Sequence, residues 1–275
     1  MGAEMEGETE PIDLSEAAEF LQTVVPQAGE KLRNYYKSGI TGETSKGGVD
    51  FTTQADIEVD SFLIESIRRQ YPGSNFLTEE TAPQDYSSHK NFSNLWVIDP
   101  IDGTSNFSRR NPNFGISIAL VDKGEIKLGL ILLPISYETL IARVDSEEAT
   151  LNGERLQVST TAELRKTSMG TDWPWDLTKR PITVKFLGNL AHDVRQIKIM
   201  GSAVSDLTKV AKGELDAYIH PGAKPWDVAA ASLIIQKAGG RVTNSDGSVF
   251  NPFSGTILAS NGLIHDQLVE LTQKA

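Results

Sequence analysis

The chain has 275 residues, 39% of them hydrophobic, and its 26 Lys and Arg against 37 Asp and Glu give a net charge of -11. That length and apolar content can bury a sizeable core and exclude a disordered chain. The acidic balance argues against a general binder of nucleic-acid polymers or anionic membranes, and the absence of cysteine excludes disulfide staples, thiolate metal sites and a cysteine nucleophile.

Met1 to Glu10 is acidic and has neither the apolar run of a secretory signal nor the Arg-rich character of a transit peptide. It reads as a solvated tail, with the cytoplasm as the expected location. Asp13 or Ser15 opens a helix whose Leu14, Ala17, Ala18, Leu21, Val24 and Val25 recur at helical spacing to about Tyr36, with a kink or restart expected at Pro26. Gly39 to Gly48 reads as a loop carrying Lys46. Asp56 to Gln70 reads as a second amphipathic helix with Ile57, Phe62, Leu63, Ile64 and Ile67 inward, ended by Tyr71-Pro72-Gly73. Strands follow at Asn75 to Thr78, Leu95 to Ile98, Gly115 to Asp122, Glu125 to Pro134 and Thr139 to Val144, with a hairpin turn at Asp122-Lys123-Gly124. Apolar runs such as Leu128 to Leu133 are too short to cross a bilayer.

After Asp145 the pattern changes to alternating strands and helices. Ala149 to Gly153 is a turn, Ile182 to Gly188 and Leu215 to His220 read as strands, and Ser205 to Lys212 is a short helix ended by Gly213. Val228 to Ala238 is a helix closed by Gly239-Gly240, and Arg241 to Thr243 and Ile257 to Ser260 are further strands. The fold class is therefore α+β passing into α/β, with a subdomain over residues 12–148 and a second over 149–275. His89, His192 and His265 have no ligand spacing and are expected at the surface.

The most informative segment is Trp96-Val-Ile-Asp-Pro-Ile-Asp-Gly-Thr104. Asp99 should emerge at the carboxyl edge of a buried strand, where α/β sheets usually bind ligands. Pro100 biases Asp99 toward an extended conformation and Gly103 allows a sharp turn, so Asp99, Asp102 and the Thr104 hydroxyl can face one small volume. Two carboxylates held that close call for a hard cation, and Mg2+ suits an all-oxygen site.

This segment resembles the signature of the inositol monophosphatase family, a group of Mg2+-dependent, often lithium-sensitive phosphatases. Three other blocks extend the likeness in family order over roughly residues 15 to 265: Val49-Asp50-Phe51-Thr52-Thr53-Gln54-Ala55-Asp56, Phe76-Leu77-Thr78-Glu79-Glu80, and Pro225-Trp226-Asp227-Val228-Ala229-Ala230. The resemblance implies a layered αβαβα sandwich and a homodimer. It also implies metal ligation by Glu79, Asp99, the Ile101 carbonyl, Asp102 and Asp227, with Asp99 bridging two Mg2+ ions and a weaker third ion at Glu79. Thr104 would contact the attacking water with Asp56 behind it, Glu79 sharing the catalytic role, and Asp50 and Lys46 would support the neighbouring loop. The amides of Gly103 and Thr104 would hold phosphate oxygens, and Gly201, Ser202 and Ala203 the organic part of the substrate. Glu80 reads as a solvated charge, Trp226 as a core anchor, and Asp227 as helix cap and ligand together.

The resemblance implies a small-molecule phosphate monoester, an inositol phosphate first, as substrate. Histidinol-phosphate, fructose-1,6-bisphosphate and nucleotide 3′-phosphate phosphatases are the alternatives. His220 stands where typical members carry a glutamate that binds inositol hydroxyls, so it is a candidate specificity residue, weighed equally against a strand end near solvent. A catalytically silent binding protein is disfavoured because every carboxylate and Thr104 is in place.

Overall fold

The computed structural model of the chain describes residues 11–39, 42–47 and 50–273. The acidic stretch before Pro11, and Gly48 and Val49, lie outside the described residues. Helix α1 (Leu14–Ser38) is capped by Asp13, whose Oδ1 accepts the Ser15 and Glu16 amides at 2.8 and 2.9 Å. It runs unbroken through Pro26, where a kink or restart was expected. Pro26 is exposed, while Ala17, Leu21, Val25, Ala28 and Leu32 form a buried stripe on either side of it. That stripe supplies the packing which outweighs one lost backbone bond. The expected Gly39 to Gly48 loop holds a short strand, β1 (Thr44–Gly47), which pairs antiparallel with β2 (Asp50–Thr52) just beyond it.

Helix α2 (Gln54–Gln70) buries Ala55, Val59, Leu63 and Ile67, a strict i, i+4 row. Ile57, expected inward, is 44% exposed, and Phe62 and Ile64 are half-buried. The buried face instead takes in two carboxylates, Asp56 and Asp60. Next come β3 (Asn75–Thr78), β4 (Leu95–Asp102), the short α3 (Thr104–Ser108), β5 (Gly115–Asp122), β6 (Glu125–Leu133), β7 (Glu138–Arg143), β8 (Thr150–Leu151) and β9 (Glu154–Arg155). They build a seven-stranded sheet in sequence order, with only β3 and β4 parallel.

The second half holds β10 (Ser168–Thr171), α4 (Arg180–Leu190), β11 (Gln196–Lys198), α5 (Ala203–Ala211), β12 (Ala217–His220), α6 (Pro225–Lys237), β13 (Arg241–Thr243), β14 (Ile257–Ser260) and α7 (His265–Gln273). Their five-stranded sheet has the order β11-β10-β12-β14-β13. The expected strand at Ile182 to Gly188 is helical. Thr183, Phe186 and Leu190 recur at i, i+3 and i+7 on its buried side, and Pro181 starts it. His265, expected at the surface, is buried, held between Ser260 Oγ at 2.8 Å and Thr243 Oγ1 at 2.9 Å. His192 is exposed and His89 half-buried.

Alternation along β4 and β5 sorts the layers. Trp96, Ile98, Ile118 and Leu120 face α1 and α2, whereas Leu95, Val97, Ala119 and Val121 face α5 and α6. The other side of α5 and α6 meets Tyr218, Val242 and Ala259 of the second sheet. The far face of that sheet buries Met169, Ala217, Ile219 and Leu258 against Phe186 and Leu190 of α4 and Leu268 of α7. The result is the αβαβα stack. Among the described residues no helix is long and apolar enough to cross a membrane.

Candidate functional site

The site forms where β4 ends. Its register with β5 breaks between Asp99 and Asp102, so the two residues between them bulge and both carboxylates turn to one side. Opposite Asp99, Ser117 donates its hydroxyl to the Trp226 carbonyl at 2.9 Å, which seats the start of α6 here. Trp226 is buried against Tyr86, the anchor expected. Asp227 follows in the first turn of α6, accepting the Lys224 amide at 2.7 Å. One carboxylate oxygen from each of Asp99, Asp102 and Asp227 lies within 4.8 Å of the others.

Glu79 joins them from the end of β3, its amide held by the Ile98 carbonyl at 3.1 Å and its carboxyl facing that of Asp99. Burial, then the neighbouring acids, lifts Asp99 and Asp227 well above the usual carboxylate range. Asp102 is pushed by burial to about 7, although the Ser202 hydroxyl and the Val204 amide (2.9 Å) bind its Oδ2. Burial also raises Glu79, against the pull of Lys46. Among the described residues the one backbone donor to Asp99 is the Ile101 amide at 3.0 Å. Buried oxygens with that much mutual repulsion and so few donors fit a hard divalent cation, for which such a donor set is suited.

Beside them is a second constellation. Thr104 Oγ1 lies 3.1 Å from Asp56 Oδ1 and 3.0 Å from the Ile101 carbonyl. Asp56 Oδ2 accepts the Thr53 amide at 2.8 Å and the Thr53 hydroxyl. Burial raises Asp56 to about 7 despite those two donors. Gly103, which starts α3, has φ +92°, and a Cβ there would meet the Asn113 carbonyl at 3.0 Å and Ser202 Cβ at 3.1 Å. Only glycine fits that approach. Asn106 Nδ2 reaches the Asn113 and Met200 carbonyls, both at 2.7 Å, tying α3 to the Gly201–Ala203 segment that opens α5.

Asp172 is the participant that the sequence did not single out, whereas Lys46, Glu80 and His220 were named there and only their surroundings are new. Lys46 pairs with Glu79 at 2.9 Å and Glu80 at 2.7 Å, and these acids hold its pKa above the ordinary value against the opposing effect of burial. Glu80, expected to be solvated, is therefore the more buried of the pair, its side chain 7% exposed against 22% for Glu79. Asp172 at the end of β10 accepts the Gly201 amide and the Tyr218 hydroxyl, each at 2.9 Å. Its signal, an acid ending an apolar strand as Asp99 does, was present in Met169-Gly-Thr-Asp172. His220 is the last residue of β12 and is buried, not near solvent. Its Nδ1 accepts the Gly222 amide at 3.0 Å, which leaves the proton on Nε2, and burial lowers its pKa to about 4.

A model of the inositol monophosphatase family matches residues 13–275. The fructose-1,6-bisphosphatase/inositol-1-monophosphatase of Thermotoga maritima is 37% identical over 232 residues, 84% of this chain and 86% of its own length. The Nus factor SuhB of Escherichia coli K12 is 34% identical over 230 residues, 83% and 85% of the two chains. A solved structure of a Thermotoga maritima IMPase superposes with a TM-score of 0.83 at 35% identity, covering 94% of this chain and 97% of that one.

Proposed function

The chain belongs to the inositol monophosphatase family, and we propose that it hydrolyses a small phosphate monoester with Mg2+ held at the end of β4, an inositol phosphate being the first substrate to try. The observation that carries this reading is the convergence of Asp99, Asp102 and Asp227 within 4.8 Å, with Glu79 against Asp99. Glu79, Asp99 and the Ile101 carbonyl would hold one ion, Asp99, Asp102 and Asp227 a second, and Glu79 a weaker third. When bound, the ions supply Lewis acidity that lowers the pKa of a water and offsets charge on the phosphoryl and leaving oxygens. Thr104 orients the attacking water, and Asp56, within hydrogen-bond reach of the Thr104 hydroxyl, receives the proton it relays. The water oxygen bonds to phosphorus as the P–O bond to the alcohol breaks, and the alkoxide takes a proton from solvent. The amides of Gly103 and Thr104 take phosphate oxygens, while Gly201, Ser202, Ala203 and His220 face the alcohol.

In the same reading residues 12–148 form a lobe bearing most of the ligands, 149–275 complete the site, and the chain works as a homodimer. A panel of phosphate monoesters assayed with and without Mg2+ tests the proposal, and Li+ should inhibit at millimolar levels by competing at the second ion position. Absence of metal-dependent turnover on every ester would favour a non-catalytic binding role, the second reading prompted by the relative named as a Nus factor.

A further inference from the structure

Asp172 is buried where β10 ends and takes no part in the chemistry proposed above. Alternation along the strand decides where it points. Met169 packs on the α4 and α7 side of the second sheet, so Gly170 and Asp172 share the opposite side, toward α5. A Cβ at Gly170 would lie 3.0 Å from Asp206 Oδ2 on α5 and 3.1 Å from Tyr218 Cδ2, so the missing side chain makes room for the Tyr218 ring opposite it on β12. The Tyr218 hydroxyl then reaches forward to Asp172 Oδ2 at 2.9 Å, while Asp172 Oδ1 accepts the Gly201 amide at 2.9 Å. Asn106 Nδ2 binds the Gly201 carbonyl at 3.2 Å, so this residue is held at both its amide and its carbonyl. The next residue, Ser202, is the N-cap of α5 and gives its hydroxyl to Asp102 Oδ2, and the Val204 amide binds the same oxygen at 2.9 Å. A carboxylate oxygen has two lone pairs, so two donors fill Oδ2 and leave Oδ1 as the atom of Asp102 that can serve a cation.

We propose that Asp172, itself steadied by the Tyr218 hydroxyl, is a positioning residue for the candidate ion site: by holding the Gly201 amide it sets the start of α5 where Ser202 and Val204 orient Asp102. The inference rests on the Mg2+ reading above and adds to it a residue from the other sheet. The role asks for hydrogen-bond acceptors and not for a charge, because both partners of Asp172 are neutral donors. Asparagine can meet both, its oxygen taking the Gly201 amide and its Nδ2 facing the Tyr218 oxygen, whose own proton is free to turn away. Alanine strands the Gly201 amide and releases the segment. Asp216, before the start of β12, is the natural control. It is buried and has one donor on each oxygen, the Ser159 hydroxyl and the Ser168 amide, but neither donor leads to an ion ligand. A purely structural loss is therefore what Asp216→Ala reports.

The test titrates MnCl2 into the chelator-treated full chain, reading the free ion by electron paramagnetic resonance, and measures the Mg2+ dependence of glycerol 2-phosphate hydrolysis in the same proteins. Asp172→Ala should raise the Mn2+ dissociation constant about tenfold or more, as loss of a group behind a metal ligand does. The Mg2+ concentration for half-maximal turnover should rise by a similar factor, with kcat at saturating Mg2+ largely recovered. Asp172→Asn should stay within about threefold of wild type, which rescues the hydrogen bonds without the charge. Asp216→Ala should lower the melting temperature and leave ion affinity unchanged. Wild-type affinity in Asp172→Ala, or an equal loss of affinity in Asp216→Ala, overturns the positioning role and leaves the ion assignment standing. A loss in Asp172→Asn as large as that in Asp172→Ala also overturns it, because charge and not hydrogen bonding would then be at work. Should Asp172→Ala not fold, Tyr218→Phe keeps the ring and removes the second hydrogen bond to Asp172. It should weaken Mn2+ binding about threefold, the low side of what an outer partner costs, and unchanged affinity overturns the proposal. If wild type neither binds Mn2+ nor turns over with Mg2+, the ion reading itself falls, and the positioning role with it.

Discussion

Two sets of buried carboxylates lie in this fold, and they are built differently. Asp216, just before β12, accepts the Ser159 hydroxyl at 2.6 Å and the Ser168 amide at 2.7 Å, one donor for each oxygen. Asp99, at the end of β4, has a single amide and faces Glu79, Asp102 and Asp227. Asp206 on α5 is intermediate, with no hydrogen bond to either oxygen but with Lys209 Nζ at 3.5 Å. Burial of an acid therefore does not by itself mark a functional site. What distinguishes the β4 end is repulsion that the protein's own donors leave uncompensated, and a site of that kind has a use for a cation.

The sharpest way to break this contrast is Asp99→Asn. Under the bridging assignment kcat at saturating Mg2+ should fall by more than the roughly 10–100-fold that outer-shell partners of a metal site typically cost. Cation-free thermal stability should not fall, because one repelling charge is gone. Near-wild-type kcat, or a large drop in the melting temperature measured in chelator, would contradict the comparison. Asp216→Ala should behave in the opposite way. It strands the Ser168 amide and the Ser159 hydroxyl, costing about 2–3 kcal/mol and, at 2–4 °C per kcal/mol for a chain near this size, roughly 5–10 °C in melting temperature. Turnover per folded molecule should hold, and a selective loss of kcat without loss of stability would place Asp216 in the chemistry.

The same contrast explains what the sequence could reveal. Asp99, Asp102 and Gly103 stand within five residues, so Pro100 and the following turn announce their convergence locally. The capping of α6 by Asp227 was likewise legible, because a carboxylate in a first helical turn is a local pattern. Asp172 acts on Gly201 and Tyr218, and Lys46 acts on Glu79, all across long sequence separations that periodicity does not encode. Helix α4 was misread because the β-branched Ile182, Thr183 and Val184 favour strand locally, while tertiary packing of Thr183, Phe186 and Leu190 decides for helix. The antiparallel strands β5 to β7 were plain for the converse reason, since short turns join them and each alternates or runs apolar.

His265 provides a smaller test with a defined sign. Burial, and next Arg241, lowers its pKa to about 4, against an ordinary value of 6.5. Between those values the unfolded chain takes up a proton that the folded chain does not, so its contribution to stability is present above pH ~6.5 and is lost as pH falls toward 4, by about 1–3 kcal/mol. The site carboxylates, raised in the fold, oppose this in cation-free protein. The informative quantity is thus the difference between wild type and His265→Asn, which should shrink steadily as pH drops from 7 to 4.5 in chemical denaturation. A constant difference would mean that the His265 imidazole has the same pKa in the folded and the unfolded chain.

The smallest effect concerns His220, the other buried histidine, with its pKa also near 4. His265 has hydroxyl partners at both ring nitrogens, whereas at His220 the Gly222 amide occupies Nδ1 and leaves Nε2 as a donor. If that donor faces the alcohol of the substrate, His220→Glu converts it into an acceptor suited to a polyol. The ratio of kcat/KM for inositol 1-phosphate to that for glycerol 2-phosphate should then rise about tenfold, or about 1.4 kcal/mol, because a site built to bind a hydroxyl discriminates through groups left unpaired by the wrong ligand. Burying a glutamate near Tyr218 also carries a desolvation cost, so the ratio, not the absolute rate, is the readout. A ratio unmoved while the protein stays folded would place His220 outside the specificity wall. The carboxylate end of β4, which makes no use of that imidazole, would keep its assignment.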